Sequence, residues 1–82
     1  MRKIKENEIK SRLKDGKTFF GTLSFNTESE TYWLILTFGR TKYLLHTKRD
    51  IVRSFTNATT AIRWCQKNGA THLVLNKILF SR

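Results

Sequence analysis

Two imidazoles, one thiol and a dense band of cations are the side chains of this 82-residue chain that could do chemistry. The band is Arg40–Phe55, RTKYLLHTKRDIVRSF, where Arg40, Lys42, Lys48, Arg49 and Arg53 are interleaved with Tyr43, His46, Phe55 and a run of aliphatics. Asp50 is the one acidic residue between Thr31 and Arg82. Cations crowding the turns on either side of an apolar strand, with aromatic rings among them, suit the phosphates and bases of a nucleic acid. The plain alternative is a well-solvated strand pair in a merely basic protein.

Acid–base catalysis would have to use His46 and His72, as in a small nuclease. His46 alternates with Leu44 along a strand, the pattern of a half-buried or surface histidine, and no carboxylate pair accompanies either ring. The chain therefore reads as a non-enzyme. Cys65, His46 and His72 fall at no usual metal-ligand spacing, so neither a metal nor another cofactor is expected. A lone cysteine forms no internal disulfide, and Cys65, on an apolar helix stripe, reads as packing rather than a reactive thiol.

The formal net charge is +10, and it is unevenly spread. Residues 1–39 hold seven Lys/Arg and five Asp/Glu, a net +2, whereas residues 40–82 hold nine Lys/Arg and one acid, a net +8. A one-sided excess repels itself in the folded state, and an anionic partner offsets that cost. Nucleic acid is the commonest such partner, ahead of an anionic membrane or an acidic protein. No apolar run approaches membrane-spanning length, and the charged N-terminus lacks the apolar core of a signal peptide. Together with the single cysteine, this places the chain in a reducing cytoplasm.

These residues must be positioned by one small domain, residues 1–82, since the length leaves no room for a second core. Residues 1–8, MRKIKENE, read as a flexible tail or a short helix. From Glu8, Ile9, Ser11 and Leu13 alternate with Lys10, Arg12 and Lys14. Asp15-Gly16 then precedes a second alternating run, Lys17–Phe25, which is a hairpin signal. The competing reading is a helix Lys5–Lys14 ended by Gly16, with Ile9 and Leu13 at i, i+4 and Ile4 off that face. Gly21 within its strand marks a bulge or a close backbone approach. Asn26–Glu30 is a polar turn, and Thr31–Phe38, apolar on both faces, reads as a central strand with Trp33 and Phe38 in the core. Lys42–Thr47, a Lys48-Arg49-Asp50 turn and an extended Ile51–Phe55 follow. Asn57 caps a helix over 58–68, Gly69 ends it, and Ala58, Ala61, Ile62 and Cys65 form its apolar stripe. Thr71–Phe80 reads as a last strand. The fold class is α+β: a small antiparallel sheet, or partly open barrel, of four to five strands with the one helix packed on it. A single helix leaves one face of such a sheet uncovered, and that face must meet another subunit or a ligand. A homo-oligomer is expected, most simply a dimer.

Leu13-Lys14-Asp15-Gly16-Lys17, followed by Phe19, Gly21 and Leu23, resembles the first half of the Sm-like (LSm/Hfq) signature within residues 9–25. Tyr43–Phe55 is loosely similar to its second half, two short strands flanking a basic turn. The resemblance implies single-stranded RNA binding by an oligomeric ring, with the residues around His46–Arg49 at the basic turn. Asn26 and Glu30 stand where the family has Asp and Asn, and residues 56–82 have no counterpart in it. In element order, four strands and then a helix, the chain is also similar to Whirly-type and coactivator-type single-strand DNA binders.

The reading is a non-enzymatic nucleic-acid-binding protein, with single-stranded RNA or DNA favoured over duplex. Its site residues are Arg40, Lys42, Tyr43, His46, Lys48, Arg49 and Arg53, with Phe20, Tyr43 and Trp64 as stacking platforms for unpaired bases. The rival from another class is a protein-interaction or inhibitor module that docks its basic face on an acidic partner.

Overall fold

Thr31–Phe38, dense in aromatic and branched side chains, is the strand around which the sheet is assembled. The computed structural model describes residues 1–76. In chain order the elements are β1 (Arg2–Lys5), α1 (Glu6–Lys14), β2 (Phe20–Asn26), β3 (Thr31–Phe38), β4 (Thr41–His46), β5 (Ser54–Phe55), α2 (Ala58–Lys67) and β6 (Leu73–Asn76). The sheet runs β1-β4-β3-β2-β6, and β5 pairs with β3 beyond the end of β4. β3 is antiparallel to β2, β4 and β5, whereas β1 runs parallel to β4 and β6 parallel to β2. Among the described residues this is an α+β fold with an open, mixed sheet of six strands and two helices. The expected α+β class, a sheet with a helix packed on it, holds; the strands are mixed rather than all antiparallel and more numerous than four to five, and a second helix joins the first. Hydrophobic alternation reports which side chains share a face but not the direction in which a strand pairs.

The first correction lies at the N-terminus. Residues 9–14 are helix, not the first arm of a hairpin. The Lys5 N–H donates to Glu8 Oε1 at 2.9 Å, and Glu6 and Glu8 in the first turn and Arg12 and Lys14 in the last complement the helix dipole. Gly16, at φ +83°, gives its N–H to the Leu13 carbonyl at 3.0 Å. Asp15-Gly16 therefore ends a helix. A primed hairpin turn and a left-handed helix cap both call for positive φ, so the same dipeptide signals either. The second correction concerns residues 1–8. Arg2–Lys5 is an edge strand that buries Ile4 completely, and its charged residues on either side of Ile4 suit an edge.

The C-terminal half keeps closer to expectation. Asn57 Oδ1 accepts the Thr60 N–H at 2.9 Å, and Ala70 N–H returns to the Cys65 carbonyl at 3.0 Å past Gly69 (φ +84°). Its buried residues are Ala61, Trp64 and Cys65, while Ile62 is 39% exposed. The helix is rotated from the expected stripe because the indole offers more apolar surface to bury than Ile62 does. The extended Ile51–Phe55 shortens to Ser54–Phe55, with Val52 bridging to His46. The last strand is described over Leu73–Asn76; the rest of Thr71–Phe80 lies outside the described residues.

Both helices pack on the same face. Ile4, Phe19, Leu23, Leu34, Leu36, Phe38, Tyr43, Leu45 and Phe55 point toward Ile9 of α1 and Ala61, Trp64 and Cys65 of α2 in one cluster. Gly21 permits this on the α2 side: a Cβ there would sit 3.0 Å from Leu73 Cδ1, 3.1 Å from Cys65 Sγ and 3.3 Å from Leu34 Cδ1. It marks a close approach and not a bulge, since the β2–β3 register runs unbroken through it. No helix among the described residues is long and apolar enough to cross a membrane.

Two outcomes test this packing. Gly21→Ala should lower stability by about 1–3 kcal/mol in urea unfolding followed by tryptophan fluorescence, and adding Cys65→Ala should restore part of the loss. An unshifted midpoint would mean the neighbours yield freely. Burial pushes the Cys65 thiol up from 9.0 to about 11. The folded state then holds a proton that the unfolded state releases, so stability should fall as pH rises from 9.0 toward about 11, and Cys65→Ala should abolish that decline.

Candidate nucleic-acid interface

Strand alternation sends every second side chain to the face that neither helix covers. The pairing register then lines these residues up in rows across the strands. In one row Lys42 of β4 stands opposite Thr37 of β3, Thr37 stands opposite Phe20 of β2, and Phe20 stacks on His72 at 4.8 Å with the planes 8° apart. Strands about 4.8 Å apart make this row roughly 14 Å long. In the next row Lys3, Leu44, Ile35, Thr22 and Val74 follow one another from β1 to β6. In a third, Lys5 pairs with His46 on one side, and Trp33 pairs with Ser24 on the other. The helix-free face is thus a half-apolar, half-polar surface with rings at Phe20, His72 and Trp33 and cations along its β1 and β4 side. Ser24 and Thr37 on that side are themselves buried beneath their neighbours, and their hydroxyls have no hydrogen-bond partner among the described residues.

The basic turn stands at the far end of β4. Thr47 N–H donates to the Ile51 carbonyl at 2.7 Å and Asp50 N–H to the Thr47 carbonyl at 3.0 Å, closing a tight loop with Lys48 and Arg49 exposed. Asp50 takes a left-handed φ of +67°, which aspartate tolerates better than most residues. Lys3 Nζ reaches Asp50 Oδ2 at 2.9 Å, tying the loop to β1. Hydrogen bonding and charge from Lys3 hold the Asp50 carboxyl below its usual value, so it stays ionised and neutralises one cation of the surface. His46 Nδ1 lies 2.9 Å from the Leu44 carbonyl. A carbonyl only accepts, so Nδ1 carries the proton, and Nε2 is the nitrogen left for a ligand.

No protein-family model, curated protein or solved structure matches this chain. Its own geometry therefore sorts the expected site residues. Phe20 and Lys42 share a row on the helix-free face, with Arg40 exposed in the β3–β4 turn beside them. His46 shares that face at the other end of β4, near Lys48 and Arg49. Arg53 departs to the helix side, where its guanidinium lies 5.0 Å from the Phe55 ring centre. At this end of the sheet Arg53, Lys10, Lys48 and His46 line a cleft of about 430 Å³ that Glu6 also lines. Tyr43 and Trp64 are corrections. Tyr43 is 7% exposed and Trp64 8%, both on the helix-covered side, so neither can stack on a base. The odd-even phase of β4 puts Tyr43 on the same side as Leu45, and the rotation of α2 buries Trp64. Trp33, expected in the core, is half-buried on the helix-free face.

Sequence reasoning did not place Lys3 or Lys5 on this face, and it weighed His72 only as an acid–base group. The Lys3-Ile4-Lys5 alternation carried the signal for the first two, a charged edge around one buried residue. His72 reaches the face only because β6 lies beside β2. Among the described residues no three His, Cys, Asp or Glu side chains converge as a metal-binding group would. Lys48 and Arg49 are exposed and have no ion pair among the described residues. Reversing both charges (Lys48→Glu, Arg49→Glu) should therefore leave stability within about 0.5 kcal/mol in chemical denaturation. A larger loss would assign the loop a folding role.

Proposed function

We propose that the chain is a non-enzymatic nucleic-acid-binding protein that lays a single strand of RNA or DNA across the helix-free face. The observation that carries this reading is the Phe20–His72 stack in one row with Lys42, on a face that neither helix covers. A flexible strand needs rings on which its bases can stack and cations that follow its phosphates, and the row supplies both at nucleotide-scale spacing. Lys3 and Lys5 extend the cationic side along β1, with His46 beside Lys5, and Lys48 and Arg49 continue it past the end of β4. The net charge of +10 supports the same reading, because counterions released from the bound strand make a large share of the affinity.

An open sheet face favours unpaired bases over duplex, since the exposed flank of α2 offers only Arg63, Gln66 and Lys67 for groove reading. Leu44, Ile35 and Val74 supply apolar floor between the cations and the rings, and Val74 is 43% exposed. Pairing of this face with a second copy of the chain is the competing occupant, and it would exclude the strand.

Fluorescence anisotropy with labelled single-stranded RNA, single-stranded DNA and duplex, repeated over a range of salt, tests the reading. Binding should favour the single strands and weaken steeply with salt. Phe20→Ala should weaken it by about 1–3 kcal/mol, the contribution of one stacked base, and Lys48→Glu/Arg49→Glu should weaken it without unfolding the protein. Salt-independent affinity, or none tighter than about 100 μM at low salt, would sink the proposal. Sedimentation of a dimer whose contact is lost in Val74→Lys would assign the face to self-association.

A further inference from the structure

A cleft of about 530 Å³ opens between the end of α1 and the β3–β4 hairpin, lined by Arg12, Lys17, Thr18, Phe38, Thr41 and Tyr43. Its centre is a cation that is already held in place. The Arg12 guanidinium lies 5.2 Å from the Phe38 ring centre and 4.6 Å from that of Tyr43, and its Nη1 donates to Tyr43 Oη at 3.0 Å. That bond occupies one of five N–H donors. Arg12 is half-buried, and among the described residues no carboxylate lies within ion-pair distance of it. The hydrogen bond from Arg12, reinforced by Arg2, holds the Tyr43 phenol below its usual value, so the local field is positive.

A half-desolvated guanidinium with free donors and no counter-ion is a costly arrangement unless an anion completes it. Its planar fork matches two oxygens of a phosphate. Lys17 brings a second charge to the cleft, and Thr18 and Thr41, residues with neutral hydroxyl donors, also line it. No Asp or Glu lines the cleft. Asp15, exposed at the end of α1, is the nearest acid along the chain. At the end of α1 the carbonyls of Ser11, Arg12 and Leu13 are turned to the protein, accepting N–H groups from Asp15, Gly16 and Lys17.

We propose that this cleft is a phosphate-binding site in which Arg12 forks the anion and Lys17 and the two threonine hydroxyls complete its shell. Lys17 and Thr18 lead through the buried Phe19 into Phe20, and Thr41 precedes Lys42, so the cleft adjoins the end of the row on the helix-free face. A strand stacked on Phe20 could turn the β3–β4 edge and leave its terminal phosphate on Arg12. Free phosphate would use the same donors, and the site stands whether or not the face binds a strand.

Titration of the 15N-labelled full chain with inorganic phosphate, against chloride at matched ionic strength, tests the site. Saturable shifts are expected at the Arg12 Nε–H and the Gly39 and Thr41 amides with phosphate alone. Arg12→Lys keeps the charge but not the fork, and Lys17→Gln alters an exposed residue that folding does not need; each should weaken phosphate binding, Arg12→Lys by about tenfold. No saturable shift up to about 50 mM phosphate, far weaker than any useful affinity, overturns the proposal, as does unchanged affinity in both variants. Oligonucleotides with a 5′-phosphate, a 3′-phosphate or neither then identify the source. Tighter binding of one phosphorylated end assigns the strand terminus, and equal binding of all three with the phosphate shifts retained assigns free phosphate. Failure of every oligonucleotide with those shifts retained removes the strand reading and leaves the phosphate site standing.

Discussion

Packing of both helices on one face of the sheet is the constraint from which the remaining features follow. Two contacts enforce it at opposite ends of the covered face. At one, the missing side chain of Gly21 lets Cys65 of α2 and Leu73 of β6 close onto β2. At the other, Arg12 of α1 is held between the rings of Phe38 and Tyr43 and bonded to the phenol. Between them Leu13 of α1 comes within 3.5 Å of where a Cβ on Gly69 would be, so the two helices meet over the sheet. With the apolar stripes of both helices committed there, neither serves the second face, although β3 carries apolar side chains on both sides.

The parallel pairing of β1 decides the electrostatics. By laying Arg2–Lys5 against β4, it brings Lys3 and Lys5 from the nearly balanced N-terminal half beside Lys42 and His46 from the strongly basic C-terminal half. Asp50 then tempers the cluster it joins through Lys3 and fastens the basic loop to the edge strand. One ion pair between exposed groups stabilises little; its effect is on where Lys48 and Arg49 are presented. The cations thus fall into a β1–β4 margin along the sheet face and an Arg12 cleft at the β3–β4 end of the sheet.

Where local signals agree, the chain is legible. Asn57, the stripe of α2 and Gly69 mark a helix whose cap bonds are those the residue types demand, and Thr31–Phe38 has the composition of a central strand. Where one local signal serves two structures, it misleads. Asp15-Gly16 fits a hairpin turn and a helix end equally, and only the packing of Ile9 and Leu13 against the core selects the helix. Ile4 lies off the helical face of Ile9 and Leu13 because it belongs to a strand, and nothing local to Arg2–Lys5 shows that a parallel partner lies about forty residues away. For the site, the alternation of β4 was visible while its phase was not: Lys42 and His46 share the helix-free face, and Tyr43 turns inward between them.

The sequence by itself determined the α+β class, the α2 helix with both its ends, the central strand, the polar turns and a cationic excess with one late acid. These rest on short-range physics, in which capping, turn geometry and the two- or 3.6-residue period act over a few residues. The tertiary structure alone decided that both helices cover one face, that β1 and β6 pair in parallel, that Tyr43 and Trp64 are core, and that Lys3, Lys5 and His72 join Lys42 and Phe20. Each of these is a contact between segments distant in sequence, set by which apolar surfaces bury best together, and no local pattern specifies that choice.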